Sequence, residues 1–246
     1  MKISFVIPAY NEERIITRCL ESIKRALSEG TYDAEIIVVN NASTDRTKEV
    51  VSRMEGVHVV DEPRKGLTRA RQAGYAASSG DIIANVDADT MLTPEWLPTV
   101  MKEFSENPKL VALSGPFIYY DLPLFIRVLV KIFYAFGYFF YFLNQRILHA
   151  GAMLQGGNFI VRRTALEKIG GYDTSIAFYG EDTDVATRIS KIGLVKWTFR
   201  LPMFASGRRL QKEGFVTMGV KYAVNFFWTT YKGVPFTKEY TDVRVK

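Results

Sequence analysis

The feature that most constrains the fold is a regular alternation, over the first 115 residues, of short apolar runs and segments of helical period. The first apolar run covers residues 3–9, and apolar side chains then recur at helical spacing up to Leu27. Further strands are expected at 35–39, 57–60, 81–86 and 110–113, with helices at 43–54, 66–77 and 94–104 between them. Runs this continuous are typical of strands buried on both faces of a parallel sheet with right-handed crossovers. The sequence therefore predicts an α/β fold with a Rossmann-like, doubly wound and mostly parallel sheet.

The pattern changes after Gly115, which suggests two functional halves. Residues 1–115 form the expected nucleotide-binding half, and residues 116–246 the expected acceptor-binding half of one overall domain. In the second half we expect strands at 158–161 and 195–199 and helices at 182–192 and 215–231.

The segment 122–148 is almost wholly apolar and aromatic. Its 14 uncharged residues between Lys131 and Arg146 make about 21 Å of helix, less than the ~30 Å hydrocarbon core, so we do not expect it to span a membrane. A narrow stripe holds the polar side chains and tyrosines, namely Arg127, Lys131, Tyr134, Tyr138, Tyr141 and Gln145. This pattern predicts an amphipathic helix lying in the membrane interface. Burial in the protein core or in a dimer contact is the alternative.

The net charge of +6 indicates a polyanionic partner, which can be nucleic acid, anionic lipid or a phosphate-bearing substrate. Between residues 208 and 246, eight Lys or Arg residues outnumber three acidic ones beside an aromatic-rich stretch. That combination favours a membrane surface over nucleic acid. The N-terminal apolar run is too short for a signal peptide. We therefore expect a cytoplasmic protein that is peripheral on the inner face of the membrane and has no nucleic-acid partner.

Asp87 and Asp89 are the strongest signal of a site, because they follow the fourth predicted strand directly. Residues i and i+2 at a strand end project to the same side, and ligands of parallel sheets bind beyond the carboxyl ends of the strands. Two carboxylates suit Mg²⁺ or Mn²⁺ when diphosphate oxygens and water complete the coordination. The position thus predicts a divalent-metal site, with a solvated turn as the alternative.

An ordered series of motifs resembles the family 2 glycosyltransferases. The series comprises SFVIPAYNEE at 4–13, IIVVNNASTD at 36–45, Gly66 through Arg71 to Gly74, GD at 80–81, DAD at 87–89, GGN at 156–158, GGYD at 170–173 and GED at 180–182. The resemblance extends over residues 3–192. It implies a GT-A fold, a nucleoside diphosphate sugar donor, a divalent cation and inversion at the anomeric carbon.

The resemblance also implies roles for individual residues. Asp89 would hold the metal, with Asp87 shared between the metal and the ribose. Asp182 would take the proton from an acceptor hydroxyl, and Glu181 would orient the acceptor or the loop. If the acceptor is a lipid phosphate, it is already an anion, and Asp182 would only position it. The nucleotide would lie across the first strand ends, at Pro8, Ala9, Tyr10, Glu12, Asn40 and Arg71.

Several of these assignments leave alternatives open. Tyr10 could flank the base or simply pack at a turn, and Glu12 could accept from a ribose hydroxyl or favour a helix dipole. Gly157, after Gly156, fits either a close backbone approach to a ligand or a plain turn. A compact cationic turn, Arg208 and Arg209, could close over the diphosphate or meet lipid phosphates.

Asn40 departs from the acidic residue usual at its place in the family, so the base of the donor stays open. The chain lacks the Gln-x-x-Arg-Trp signature of processive synthases, which favours transfer of a single sugar. A nucleotidyltransferase would need a glycine-rich basic first loop, whereas residues 8–13 are bulky and acidic. A non-catalytic sugar-nucleotide sensor or membrane scaffold would not need both Asp89 and Asp182.

Overall fold

A computed structural model of the chain describes residues 1–143, 153–176, 178–233 and 235–237. The strands are β1 (Ile3–Ala9), β2 (Ala34–Asn40), β3 (Val57–Asp61), β4 (Ile82–Val86), β5 (Thr90–Leu92), β6 (Leu110–Ser114), β7 (Phe117–Tyr119), β8 (Asn158–Arg162), β9 (Leu194–Trp197) and β10 (Met203–Ala205). The helices are α1 (Ile16–Ser28), α2 (Thr47–Ser52), α3 (Leu67–Ala77), α4 (Trp96–Glu106), α5 (Leu124–Leu143), α6 (Arg163–Lys168), α7 (Glu181–Ile189), α8 (Arg208–Glu213) and α9 (Phe215–Lys232).

The larger sheet has the strand order β3-β2-β1-β4-β8-β6-β9. The pairs among β1 to β4 are parallel, as the alternation of strands and helices predicts. Strand β8 inserts antiparallel between β4 and β6, and β9 is parallel to β6. The sheet is therefore mostly parallel, and strands from both halves of the sequence share it.

This sheet is buried on both faces. Successive side chains of a strand project to opposite sides, so neighbouring residues pack on different faces. On one face Phe5 of β1 packs with Leu20 of α1 and Trp96 of α4. On the other face Val6 packs with Ala70 of α3. Each large apolar side chain buried in this way contributes roughly 2 kcal/mol.

Helix α3 lies unusually close to β1 and β2. A Cβ at Gly74 would be 2.3 Å from Val6 Cγ1 and 3.0 Å from Val39 Cγ2, so only glycine fits this contact. The same helix carries Arg71, which points toward the end of the sheet where β4 finishes.

A second, three-stranded sheet has the order β5-β10-β7 and was not predicted. Each of its strands has three residues, which is too short for an apolar period to be recognised. Strand β5 immediately follows Asp89, and the amide of Ser206 donates to the carbonyl of Asp89. The small sheet thereby ties the segment before α8 to the end of β4.

Helix α5 occupies 124–143 of the predicted helix 122–148, whose last residues, including Gln145 and Arg146, lie outside the described part of the chain. The tyrosine stripe faces the protein rather than a polar edge. Tyr134 stacks against Trp197 at 5.9 Å between ring centroids, and the Tyr141 hydroxyl donates to the carbonyl of Val195. The predicted orientation is therefore wrong for Tyr134 and Tyr141, because the ring of the first and the hydroxyl of the second find partners in β9.

The apolar arc of α5 is instead exposed, at Leu124, Phe125, Val128, Ile132, Phe133, Phe136, Phe139 and Phe142. Helix α9 lies beside it, since a Cβ on Gly219 would contact Phe133 at 3.8 Å. Helix α9 also exposes Val216, Val220, Val224, Phe227, Trp228 and Tyr231. Burial of the α5 arc in the protein core is excluded. Within the described residues, no helix is both long and apolar enough to cross a bilayer.

Candidate active site

A solvent-open cleft of about 810 Å³ lies at the edge of the large sheet where β1 and β4 end. This is the edge at which parallel sheets bind ligands. Most of the residues predicted from the sequence line the cleft, namely Pro8, Ala9, Tyr10, Glu12, Asp87, Asp89, Arg208 and Arg209.

Arg208, at the start of α8, bridges the first loop and the aspartate pair. Its Nε lies 3.1 Å from Asp89 Oδ2. Its two terminal nitrogens donate to Glu12, with Nη1–Oε2 at 2.9 Å and Nη2–Oε1 at 2.5 Å. Glu12 is almost fully buried, so this paired geometry offsets the cost of taking its charge out of water.

A second guanidinium, that of Arg71, lies behind the cleft. Its side chain is 0% exposed, and Nη2 is 3.3 Å from Asp87 Oδ1 and 3.1 Å from Glu181 Oε1. Arg71 therefore does not line the cleft wall, in contrast to the expectation that it contacts the nucleotide. The helix pattern of 66–77 gave its position on α3, whereas its direction follows from the close packing of α3 on the sheet.

Gly156 and Gly157 connect Asp87 to Asp182. Gly157 has φ +79°, and a Cβ there would lie 2.2 Å from Asp87 Oδ2. The amide of Gly156 donates to Asp182 Oδ2 at 2.8 Å, and the amide of Thr183 donates to Asp182 Oδ1 at 2.7 Å. Glycine is thus required at 157 by the close approach of Asp87 and by the positive φ, whereas Gly156 contributes its backbone amide.

Asn40 does not line the cleft. Its Nδ2 donates to Asp61 Oδ1 at 2.8 Å, and the next residue, Asn41, lines the cleft instead. Asn41 Nδ2 donates to the carbonyls of Glu62 and Arg64, and its Oδ1 accepts from the amide of Gly66. The alternation of side chains at a strand end explains why neighbouring asparagines separate in this way.

Several further residues line the cleft and were not predicted from the sequence, namely Asn41, Lys65, Gly66, Leu67, Ala88 and Phe178. Lys65 Nζ lies 3.8 Å from the ring centroid of Tyr10, in a cation–π contact. The Arg209 guanidinium lies 4.7 Å from the ring centroid of Phe178. The basic pair Arg64-Lys65 before Gly66 is a signal that could have identified Lys65.

Burial changes the pKa values of the acids in this region. Burial raises the pKa of Asp89 to about 6, against the lowering effect of Arg208. Burial raises the pKa of Glu181 to about 8, although the charge of Arg71 lowers it. Burial also raises the pKa of Asp182, opposed by the hydrogen bonds from Gly156 and Thr183. Carboxylates with raised pKa values are stronger bases and gain from a nearby cation.

The residues present fit a divalent cation only in part. In the described portion of the chain, no group of three or more His, Cys, Asp and Glu side chains forms a metal site. Asp87 and Asp89 supply two hard oxygen donors at a cleft with room for a ligand. Mg²⁺ and Mn²⁺ commonly take few protein carboxylates and complete their coordination with phosphate oxygens and water.

Comparison with known proteins gives a consistent result. The sequence profile described as glycosyl transferase family 2 matches residues 4–170, and one described as the N-terminal domain of galactosyltransferase matches residues 144–213. A probable glycosyltransferase of Bacillus subtilis, YdaM, is 31% identical over 214 residues, which cover 78% of this chain and 47% of YdaM. The glucosyl-dolichyl phosphate glucuronosyltransferase of Haloferax volcanii is 25% identical over 190 residues, or 74% of this chain and 59% of that protein.

The solved structure of a mannosyltransferase from Pyrobaculum calidifontis, in complex with GDP-Man and Mn²⁺, superimposes with a TM-score of 0.63 at 22% identity. The match covers 83% of this chain and 56% of that one. The fold is therefore GT-A. The chain belongs to glycosyl transferase family 2, and it spans about half the length of YdaM. The family and the fold class expected from the motifs are confirmed.

Proposed function

We propose that this chain moves a single sugar, with inversion, from a nucleoside diphosphate sugar to a membrane-borne acceptor, assisted by Mg²⁺ or Mn²⁺. The observation that carries the proposal is the convergence of Asp87, Asp89 and Arg208 on one cleft, with Asp182 joined to it through two glycines. A scaffold has no need for this arrangement.

The donor would lie along the ends of β1 and β2. Tyr10, braced by Lys65, offers a flat ring for the base, and Glu12 offers acceptors for ribose hydroxyls. Arg208 and Arg209 would face the diphosphate, whose charge they match as paired donors. Since Arg208 also binds Glu12 and Asp89, a bound donor would share these contacts.

Asp87 and Asp89 would hold the cation. When bound, a divalent cation stabilises the negative charge that develops on the leaving nucleoside diphosphate. The chain's own part is to present two carboxylates at the β4 end, with Arg71 paired to Asp87 from behind the cleft and Arg208 paired to Asp89 at the cleft wall. The cation and the donor are proposed as one binding unit.

The acceptor side is assigned to Asp182. Two backbone amides fix its carboxylate, and its raised pKa suits it to take a proton from a hydroxyl as that oxygen attacks the anomeric carbon. Attack from the face opposite the leaving group gives inversion. With a lipid-phosphate acceptor, Asp182 would have only a positional role.

The exposed arcs of α5 and α9 support a membrane-borne acceptor. The Tyr134 hydroxyl, on α5, donates to Gln155 Oε1, one residue before Gly156. A Cβ on Gly180, which precedes α7, would lie 2.7 Å from Thr229 Oγ1 of α9. Both helices are thus in contact with the segments around Asp182. The name of the Haloferax volcanii relative places a dolichyl phosphate substrate in that protein.

Transfer assays with the Asp89→Asn and Asp182→Asn variants test the catalytic part. A panel of nucleotide sugars with Mn²⁺, screened by thermal shift on the parent protein, identifies the donor first. We expect Asp89→Asn to lose transfer and the metal-dependent part of donor binding. Unchanged turnover in this variant would return the scaffold interpretation.

Sedimentation with vesicles of phosphatidylglycerol and phosphatidylcholine tests the membrane part. The double variant Phe136→Asp/Phe139→Asp changes two residues of the α5 arc that are 64% and 60% exposed. We expect it to remain in the supernatant while the parent protein pellets with the vesicles. Ile192→Asp, an exposed apolar position away from both helices, is the matched control. Equal pelleting of the arc variant and the parent would contradict membrane docking.

A further inference from the structure

Arg71 is the charged side chain whose place in the structure departs most from its expected role. We infer that Arg71 is a positioning residue that, from behind the cleft, holds the metal-binding carboxylate of Asp87 and the Glu181 carboxylate of the acceptor side in one geometry, and competes with the cation for Asp87. The inference rests on the proposed function, because it concerns the same metal and acceptor residues.

Arg71 is buried, whereas its partner Asp87 is accessible from the cleft. The Arg71 side chain is 0% exposed, whereas the Asp87 side chain is 36% exposed. The guanidinium lies 5.0 Å from the ring centroid of Phe159 on β8, beneath the cleft floor. A donor in the cleft therefore reaches Asp87 but not Arg71.

One nitrogen of Arg71 contacts two carboxylates. Nη2 contacts both Asp87 Oδ1 and Glu181 Oε1, at 3.3 and 3.1 Å. Nε and Nη1 of Arg71 and Oε2 of Glu181 are buried and have no hydrogen-bond partner among the described residues. The bridge is therefore unsaturated, and a cation at Asp87 would compete for one of its two contacts.

The two carboxylates that contact Arg71 belong to different parts of the fold. Asp87 follows β4, and Glu181 is the first residue of α7, directly before Asp182. A Cβ on Gly156 would lie 3.2 Å from both Glu181 Oε1 and Asp182 Oδ2, so Glu181 lies beside the loop whose Gly156 amide donates to Asp182. Arg71 thus joins the donor side and the acceptor side of the site by direct contacts.

The test uses Arg71→Met, with Arg69→Met on the same helix as control. Mn²⁺ binding to the protein alone is measured by electron paramagnetic resonance, and binding of UDP and GDP without metal by calorimetry. Transfer is then measured with the donor found in the thermal-shift screen. The three quantities separate a positioning residue from a nucleotide ligand and from a residue needed only for folding.

We expect Arg71→Met to bind Mn²⁺ at least about threefold more tightly, because a buried positive charge beside Asp87 is gone. Metal-free binding of UDP and GDP should stay within about twofold of the parent protein. The kcat should fall roughly 100-fold, since small displacements of reacting groups carry costs of that size. Arg69→Met should match the parent protein in all three.

Removing Arg71 leaves the Glu181 carboxylate buried without its cation, which by itself destabilises the fold. Arg71→Met is therefore studied together with the double variant Arg71→Met/Glu181→Gln. This double variant removes both charges and should fold, as checked by circular dichroism and thermal unfolding. Its kcat should lie within about threefold of that of Arg71→Met, because the two side chains act as one unit. If the single variant does not fold, the same three measurements are made on the double variant.

Three results would overturn the inference while leaving the proposed function intact. They are a tenfold loss of metal-free nucleotide binding, a kcat within about twofold of the parent, and a parallel loss of Mn²⁺ binding, nucleotide binding and kcat. Failure of the parent protein to bind Mn²⁺ even in the presence of UDP or GDP would instead overturn the proposed function and the inference together.

Discussion

Acidic side chains outnumber the arginines that neutralise them around the cleft. Two arginines, Arg71 and Arg208, make the ion pairs described above, and each is shared between two carboxylates. The acids are Glu12, Asp87, Asp89, Glu181 and Asp182. Burial is the main cause that raises the pKa of Asp89, and the surplus of negative charge from Asp87 and Glu12 adds to it against the lowering effect of Arg208. A divalent cation would relieve that surplus, which is the electrostatic reason for placing one between Asp87 and Asp89.

Gly157→Ala is expected to weaken Mn²⁺ binding by at least about tenfold. The new Cβ would overlap Asp87 Oδ2 and force the metal-binding carboxylate to move, in addition to the strain of a positive φ. Gly170→Ala is the matched control, because Gly170 has φ +76° and nothing within 4 Å of its Cβ position. Both variants should lose about 1 kcal/mol of stability through backbone strain. Equal Mn²⁺ affinity in the two variants would contradict the proposed position of the metal.

Asp182→Asn is expected to abolish transfer to a hydroxyl acceptor and to leave donor binding unchanged. The amide cannot take the proton, and it can accept from only one of the two backbone amides that hold the carboxylate. The side chain lies on the acceptor side of the glycine pair. Steady-state kinetics beside calorimetry with the donor separates the two effects. Retention of most of the turnover would assign Asp182 a positional role, as a lipid-phosphate acceptor requires.

The sequence predicts which residues gather at the cleft better than it predicts where their side chains point. Asp87 and Asp89 were assigned from their place after an apolar strand, and both line the cleft. Asn40 and Arg71 also follow the motifs, yet one is turned toward Asp61 and the other is buried. These directions depend on contacts between elements distant in sequence, which a local pattern does not contain.

At the scale of elements, the contact between α3 and the sheet is the one that positions Arg71. Gly74→Ala should lower the free energy of unfolding by roughly 1–3 kcal/mol, because its Cβ would overlap Val6 and overpack the interface. Gly219→Ala on α9 should raise stability by up to about 1 kcal/mol, since its Cβ has ordinary contacts and alanine favours a helix. Urea unfolding of both variants checks the opposite signs. Destabilisation of the same size in both would argue against a specific close approach at Gly74.

Long periodic elements were predictable, and short or context-dependent ones were not. Strands β1 to β4 carry enough apolar residues for their period to be read directly from the sequence. The antiparallel β8 depends on which neighbours it meets, and the three-residue strands of the small sheet carry no period. The stripe on α5 was correctly located, but a tyrosine is amphipathic and can line either a wet edge or a packed one. The residues of β9 that contact Tyr134 and Tyr141 show that these two tyrosines line a packed edge.

At the scale of the whole molecule, Glu35 connects segments that meet near the start of the large sheet. Its carboxylate accepts from the Ser4 hydroxyl, from the Ser79 amide and hydroxyl, and from Lys2 Nζ. Burial alone would raise the pKa of Glu35, but these hydrogen bonds outweigh it and lower the pKa to about 2. The folded state therefore favours the ionised carboxylate.

Because the pKa of Glu35 is lower in the folded than in the unfolded state, its contribution is present above pH 4.5 and is lost as the pH falls toward 2. Allowing for its partial exposure, we expect roughly 2 kcal/mol. Glu35→Gln should lower stability at pH 7 by this amount and flatten the acid limb of the stability curve. Glu21→Gln, at an exposed position of α1, is the control. Parallel acid limbs for Glu35→Gln and the parent protein would contradict this assignment.

Both halves of the sequence contribute strands to one sheet, and the cleft collects residues from both. Arg208, from the second half, meets Glu12 and Asp89 across the cleft, and Arg209 beside it lines the same cleft. The division at residue 115 stays a prediction about function, since strand β8 from the second half pairs with β4 and β6 from the first. We therefore expect substitutions that shift strands of this sheet to affect donor binding and transfer to the acceptor together.

The most direct test of the account is a titration of the parent protein with Mn²⁺, followed by electron paramagnetic resonance, with and without UDP or GDP. Two aspartates alone should bind the ion weakly, and the nucleotide that matches the donor should tighten binding at least about tenfold, because its phosphate oxygens complete the coordination. Asp89→Asn should remove this gain. Nucleotide binding of equal strength with Mn²⁺ and with excess chelator would contradict the central claim that Asp87 and Asp89 hold a cation together with the donor.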